Sequence, residues 1–249
     1  MSAQFSAWPY PRWIAHRGAG KLAPENTLAA FQRGASHGYR MFECDVKLSA
    51  DGVPFLLHDS TLERTTNGSG TAGHQPWVEL AALDAGSWHS SAFAGERLPS
   101  LAQIAGACLA SGWLLNIEIK PTPGSETLTG TVVANAAATL WAEAAAPPLL
   151  SSFQPLALQA AQAAQPHLPR GLLLDTLPED WLQTAQRLAC SAVICQHRLW
   201  TPVTVAQAWS AGLKTLSYTV NDIASAQRLQ SLGLDGLITD RVDDFAPCG

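Results

Sequence analysis

The chain is sparing with charge, with lysine and with long apolar runs. Charged residues make up only 14% of its 249 positions, and the 20 Asp and Glu outnumber the 15 Lys and Arg. With 47% hydrophobic residues it is too apolar to stay disordered, and its composition suits a chain with a sizeable core. A formal net charge of −5 leaves no electrostatic footprint for nucleic acid or an anionic membrane. No apolar run approaches the roughly 18 residues of a membrane span. Met1 to Pro11 lacks a basic start, an apolar stretch and a cleavage site, so no secretion signal is read there. The five cysteines (Cys44, Cys108, Cys190, Cys195 and Cys248) are odd in number and follow no disulfide or zinc spacing. A reduced, cytoplasmic chain is the simplest expectation, with no stable membrane association and no nucleic-acid partner. Only four lysines occur against eleven arginines, and one of the four, Lys120, lies in a chemically loaded stretch.

What is present is a recurring strand-helix rhythm. Short apolar runs at Trp13 to Ala15, Met41 to Val46, Trp113 to Ile119 and Leu149 to Phe153 read as strands. Further runs follow at Gly171 to Leu174, Ala192 to Cys195, Lys214 to Val220 and Gly236 to Ile238. The stretches between most of them are Ala-, Leu- and Gln-rich and helical in character, which argues for parallel βα units. Val53 to Leu57 breaks the rhythm. It follows Met41 to Val46 across a short segment containing the turn pair Asp51-Gly52, too short for a parallel crossover, so it must return as an antiparallel hairpin. Setting it aside leaves eight parallel strands, the arithmetic of a TIM (β/α)8 barrel of about 250 residues. A doubly wound open sheet is the competing architecture. The reading is therefore one TIM-barrel domain over residues 1–249, with an inserted cap of about residues 59–112 after the hairpin of the second strand. That irregular stretch carries turn signals and the isolated aromatics Trp77, Trp88 and Phe93.

Strand parity locates the chemistry. In Phe42-Glu43-Cys44-Asp45-Val46 the odd positions are acidic, and in Ile117-Glu118-Ile119-Lys120 the even positions are charged. Alternate side chains point to opposite faces of a strand, so Glu43 and Asp45 share one face, as do Glu118 and Lys120. The apolar set suits the helix-facing outside of a barrel, and the charged set then points inward near the strands' C-terminal ends. Buried carboxylates pair or bind metal. Either pair alone fits a structural ion-pair network in which Lys120 and Arg17 neutralise the acids. Both together, at the end where barrel active sites lie, favour a functional cluster. All-oxygen ligation favours a hard divalent cation, Ca²⁺ or Mg²⁺.

His16 ends the first strand and His58 the hairpin strand, beside acids and an Arg-Gly pair, and the two fit a general acid/base pair near neutral pH. His197 follows a strand at the same rim, and the remaining histidines read as surface. The acids Glu43, Asp45 and Glu118 carry −3, while a divalent ion with Arg17 and Lys120 carries +4. The resulting +1 suits a phosphodiester monoanion, which Arg can grip with two N–H donors and Lys as a point charge.

At this point the sequence resembles the glycerophosphodiester phosphodiesterase family, specifically its compact cytoplasmic bacterial members. The matching pieces are Ile14-Ala15-His16-Arg17-Gly18, Pro24-Glu25-Asn26-Thr27, Glu43-Cys44-Asp45-Val46, Asp51-Gly52 with His58-Asp59, and Leu62 to Gly68. Asn116-Ile117-Glu118-Ile119-Lys120, Ser152-Phe153 and Thr239-Asp240 complete a series running from about residue 12 to 245. The resemblance implies a TIM barrel, a divalent ion on Glu43, Asp45 and Glu118, and His16 and His58 as acid/base residues. It implies Arg17 and Lys120 on the phosphate, with Phe153 and Tyr218 beside the substrate. Glu25-Asn26-Thr27 would hold the first rim loop, with Asn26 or Thr27 capping its helix. The family often has Trp where this chain has Tyr218, which bears on substrate selectivity. The implied reaction is hydrolysis of a small glycerophosphodiester, such as glycerophosphocholine or glycerophosphoethanolamine, to glycerol 3-phosphate and an alcohol. The alternatives are a phosphodiesterase acting on lysophospholipids or glycerophosphoinositol, and a non-catalytic phosphate-ester binding protein. The oligomeric state is not legible.

Overall fold

The computed structural model describes residues 8–245 and Pro247. The N-terminal reading of Met1 to Ala7 and the fifth cysteine, Cys248, lie outside the described residues. The strands are β1 (Trp13–Ala15), β2 (Met41–Leu48), β3 (Pro54–Leu56), β4 (Leu114–Ile119), β5 (Leu149–Ser152), β6 (Arg170–Leu174), β7 (Ala192–Gln196), β8 (Lys214–Tyr218) and β9 (Gly236–Thr239). Sheet order runs β1-β9-β8-β7-β6-β5-β4-β2-β3, and β1 also pairs with β2, so eight parallel strands close on themselves. The closed parallel sheet with alternating helices is a TIM barrel, which excludes the open doubly wound sheet. β3 is the antiparallel hairpin partner, pairing Val46, Lys47 and Leu48 with Leu56, Phe55 and Pro54. Gly52 takes a φ of +81° at its turn, the left-handed conformation that glycine adopts without steric cost.

The helices are α1 (Leu28–Ser36), α2 (Trp77–Leu80), α3 (Leu101–Ser111), α4 (Glu126–Leu140), α5 (Pro155–Ala164), α6 (Trp181–Arg187), α7 (Pro202–Ser210) and α8 (Ile223–Ser231). None is long and apolar enough to cross a membrane among the described residues. Thr27 is the cap of α1, accepting from the Ala30 N–H. The cap region is shorter than the sequence suggested. Residues 101–111 form α3, which opens with a capping box of Ser100 and Gln103 and sends Leu101, Ile104 and Cys108 into the main core. The irregular part ends near Ser100. It holds a small core of its own, with Leu62, Ala72, Leu80 and Leu98 packed on Phe55 and Leu57 from the hairpin strand.

Parity organises the packing. Phe42, Cys44, Val46, Ile117 and Ile119 face outward into the helix layer. Ile14, Met41, Leu149, Leu173, Ile194, Leu216 and Ile238 fill the barrel's lower interior with Tyr10. This apolar floor confines the polar residues to the mouth at the strands' C-terminal ends. All four described cysteines are free thiols, and Cys44, Cys108 and Cys195 are buried.

Candidate active site

The first rim loop is built around two close backbone approaches. A Cβ on Gly18 would stand 2.7 Å from the Ala30 Cβ, and one on Gly20 would stand 2.1 Å from the Asp240 carbonyl oxygen. Both residues also have positive φ, so the segment needs glycine at each place. Between them and β1, Arg17 is itself left-handed at φ +51°. This turn aims its N–H at Glu43 Oε2 (3.0 Å) and its carbonyl at the N–H of Asn26 (3.0 Å). The Arg17 guanidinium donates to Glu25 Oε1 at 2.8 Å. Its Nε lies 3.3 Å from Asp45 Oδ2 without the alignment of a hydrogen bond, so a buried N–H keeps spare donor capacity at the mouth.

Glu43, Asp45 and Glu118 converge as parity required. Asp45 stands level with Glu118 across the β2–β4 ladder. One carboxylate oxygen from each of the three residues lies within 4.8 Å of the others, and all three side chains are buried. Lys120 Nζ bridges Asp45 Oδ1 (3.1 Å) and Glu118 Oε1 (3.0 Å). Two cations therefore face three acids. Burial works against the Asp45 charge, but Lys120 and Arg17 hold its carboxyl well below the ordinary range. Burial and then Asp45 push Glu43 up, and Glu118 is raised for the same two reasons. The surplus acid leaves a place for positive charge, and an all-carboxylate donor set fits a hard divalent cation. Close by, Asn116 is level with Glu43 and Ser151 with Glu118. The Asn116 amide and the Ser151 hydroxyl are buried without a protein partner, as expected beside a polar ligand or its water.

The histidines flank this cluster differently. His16 Nδ1 is 2.6 Å from Asp240 Oδ1, and its Nε2 is 3.7 Å from Glu43. Asp240 is held by Asn221, whose Nδ2 donates to it at 2.8 Å and whose Oδ1 accepts the Asp240 N–H. Burial opposes charge on His16, but the Asp240 hydrogen bond and Glu43 outweigh it, and its pKa rises. His58 Nδ1 is 2.6 Å from Asp59 Oδ1. Its pKa is lowered, chiefly by burial, with Arg17 and Lys120 adding to the effect. Arg64 ties Asp59 to Glu25 through hydrogen bonds of 2.6–3.0 Å.

Seven predicted residues (His16, Arg17, Glu43, Asp45, His58, Glu118 and Lys120) thus belong to one linked network. Phe153 and Tyr218 sit apart from it, at the ends of β5 and β8, as an edge-to-face pair 5.6 Å apart. His197 lies in the loop after β7 and makes none of these contacts, while its carbonyl accepts from Arg228. Lys47 shares the face of Asp45 but donates to the Lys120 carbonyl at 3.1 Å, not to a carboxylate. Sequence reasoning assigned no role to Asp240, Asn221, Asp59 or Arg64. Asp240 carried a signal, since it continues the inward parity of Gly236 and Ile238, whereas Arg64 lies in a loop with no period to read. Asn26 supports the loop through its N–H to the Arg17 carbonyl, leaves the capping to Thr27, and also donates from Nδ2 to Asp45 Oδ2 at 2.9 Å and accepts the Asp45 N–H at 3.1 Å.

Fold and site together define a TIM-barrel enzyme with its ionisable residues gathered at the mouth. Residues 16–244 match the model of the glycerophosphoryl diester phosphodiesterase family. A glycerophosphodiester phosphodiesterase of Caldanaerobacter subterraneus subsp. tengcongensis is 35% identical over 232 residues, covering 91% of this chain and 93% of that protein. An Oleispira antarctica phosphodiesterase, solved in complex with the product sn-glycerol-3-phosphate, superposes with a TM-score of 0.87 at 34% identity, covering 94% of each chain. A glycerophosphodiester phosphodiesterase from Agrobacterium tumefaciens superposes with a TM-score of 0.80 at 28% identity, covering 96% of this chain and all of that one. The chain belongs to the glycerophosphoryl diester phosphodiesterase family, and it is a phosphoric diester hydrolase.

Proposed function

We propose that the protein hydrolyses glycerophosphodiesters to glycerol 3-phosphate and an alcohol, with a divalent ion, Ca²⁺ or Mg²⁺, on Glu43, Asp45 and Glu118. The carrying observation is the buried carboxylate triad set between two histidines that are each backed by an acid. The product named for the Oleispira antarctica relative supplies the substrate class. The ion, when bound, supplies Lewis-acid neutralisation of the phosphate oxygens.

The chain's own residues do the rest. Arg17 and Lys120 are placed for non-bridging oxygens, where preorganised donors stabilise the charge that builds up in the transition state. His58, held neutral by burial and oriented by Asp59, takes the proton of the attacking hydroxyl or water. His16, whose protonated form is favoured by the Asp240 hydrogen bond, delivers a proton to the departing alkoxide. If the glycerol 2-hydroxyl attacks first, a cyclic phosphate forms and the alcohol leaves. Water then opens the ring with the histidine roles reversed.

The test is a coupled assay for glycerol 3-phosphate release from several diesters, with chelation and metal add-back. Activity should vanish on full chelation and return with Ca²⁺ or Mg²⁺. His16→Ala and His58→Ala should each lower kcat at least about 100-fold. Turnover surviving complete chelation removes the metal, and near-normal turnover in either variant removes that histidine.

A further inference from the structure

The mouth is chemically two-sided. Donors, acids and histidines line the β1, β2 and β4 side, where the hydroxyls of a glycerol find hydrogen-bond partners. On the opposite arc, from β5 to β8, the inward residues are of another kind. Phe153 and Tyr218 are half-buried, with centroids 5.6 Å apart and planes at 88°, giving an apolar corner. The Tyr218 hydroxyl is already committed, donating to the Leu174 carbonyl at 3.1 Å. That bond fixes the ring and uses the hydroxyl's one donor, so the corner offers a polyol no O–H from Tyr218.

Strand register brings a carboxylate to this corner. Leu174 pairs with Cys195, and Gln196 pairs with Tyr218, so Asp175 stands one step beyond β6 at the level of Gln196 and Tyr218. It continues the inward parity of Gly171 and Leu173. Its nearest polar side-chain contact is the Thr176 hydroxyl at 3.4 Å. Every Lys and Arg in an ion pair among the described residues is paired with some other acid. Burial, and after it the neighbouring Asp175 charge, push the Tyr218 hydroxyl up, as their closeness requires.

Two perpendicular aromatic rings beside an exposed, unpaired carboxylate form a receptor for an alkylammonium group. The ring faces attract the cation, methylated nitrogen needs no hydrogen-bond donor or acceptor, and the carboxylate supplies the counter-charge. We infer that Phe153, Tyr218 and Asp175 form the subsite for the leaving alcohol, and that it selects alcohols bearing a substituted ammonium, as in choline or ethanolamine diesters, over neutral polyols. This rests on the phosphodiesterase reading given above, with the phosphate held between the two sides of the mouth.

Two measurements test it. The first is kcat/KM for glycerol 3-phosphate release from glycerophosphocholine, glycerophosphoethanolamine, glycerophosphoglycerol and glycerophosphoinositol. The intact enzyme should favour the two cationic substrates by about tenfold or more. Asp175→Asn should collapse that preference at least fivefold, mainly through KM. Phe153→Leu should weaken the choline substrate more than the ethanolamine one, because methylated nitrogen depends more on ring faces. A general structural defect would lower all four substrates together and leave their ratios intact.

The second measurement is binding of choline alone to the full chain by NMR saturation transfer, which needs no turnover. Choline binding that is lost in Asp175→Asn supports the subsite even if no diester is hydrolysed, in which case the reaction assignment fails and not the subsite. Equal rates on cationic and polyol substrates, or choline binding unaffected by Asp175→Asn, overturns the inference.

Discussion

Asn26 offers a sharp test of how the site is held together. Its side chain is buried, its φ is +60°, and it makes a reciprocal pair of hydrogen bonds with Asp45. The amide donates to the carboxylate, and the amide oxygen accepts the Asp45 N–H. Asn26→Gly keeps the left-handed backbone and removes both bonds. A hydrogen bond to a charged group contributes about 1.5–3 kcal/mol, and a buried N–H left unsatisfied costs about 1–3 kcal/mol. With partial relaxation, a loss of about 3 kcal/mol follows. Asn26→Ala should lose about 1 kcal/mol more, because a Cβ is placed in the left-handed region. Chemical denaturation of the metal-free protein reads both numbers. The functional consequence is larger than the fold's. Asp45 would keep Lys120 and Arg17 but lose the group that fixes its rotation. Residues orienting a metal ligand typically matter 10–100-fold in metal affinity. The Mg²⁺ or Ca²⁺ concentration giving half-maximal glycerol 3-phosphate release should rise by about that factor in Asn26→Gly, at a temperature where circular dichroism shows both proteins folded. Unchanged metal dependence would refute the orienting role, and equal stability of the Gly and Ala variants would refute the backbone part.

Other outcomes follow from the same geometry. His58 is lowered and His16 raised, so the neutral form of His58 appears below about pH 6.5 while the charged form of His16 persists above it, around the ordinary histidine value. The pH profile of kcat/KM should be a bell spanning that value, and steady-state rates from pH 5 to 9 check it. A single limb, or a maximum confined to one side, would contradict the assignment. Arg170 is buried at the start of β6 and donates to the carbonyls of Leu168, Pro166, Leu188 and Ala189, at the C-terminal ends of α5 and α6. Arg170→Met should cost about 3 kcal/mol in urea unfolding while sparing kcat, because its charge is held by carbonyls and lies at the barrel end away from the mouth.

The parts legible in the sequence were those governed by a period. Alternation along β2 and β4 showed that Glu43, Asp45, Glu118 and Lys120 face inward, and the Asp51-Gly52 turn marked the hairpin that carries His58 to the mouth. The boundary of the cap was misjudged because α3 is a run of small residues with little contrast between its faces, although Ser100 and Gln103 signalled its start. Helix α6 stops at Arg187, and Ala189 turns left-handed at φ +46°. No local pattern announces such a turn at alanine. The supporting contacts were hidden for a deeper reason. His16 and Asp240 are 224 positions apart, and Arg64 reaches Glu25 across 39. Such pairs exist only once the barrel has closed and the cap has docked, so strand parity could supply Asp240 as a candidate but not its partner.

Closure also alters the charge argument. With all three ionised, as a bound cation would favour, the inner set of Glu43, Asp45 and Glu118 exceeds Arg17 and Lys120 by one negative charge; without a cation, burial and Asp45 raise Glu43 to about 8 and reduce that surplus. Around it stand three more acids, which taken alone would swamp any attraction for an anion. Cations stand among them: Arg64 bonds both Glu25 and Asp59, His16 in its protonated form pairs with Asp240, and Lys47 is buried nearby on the Lys120 carbonyl. With His16 protonated the outer layer is formally neutral, and the mouth as a whole lies between −1 and 0 without a bound cation, according to the ionisation of Glu43, and at +1 with a divalent one. A phosphodiester monoanion gains a net attraction only in the second state. Partial depletion of the divalent ion should accordingly raise the apparent KM for the diester as well as lower kcat, and the KM effect should shrink as ionic strength rises and screens the mouth. Steady-state kinetics at subsaturating Mg²⁺ or Ca²⁺, in low and high salt, separate the two effects. A loss confined to kcat and indifferent to salt would mean that the outer acids are not neutralised in the way their pairings indicate.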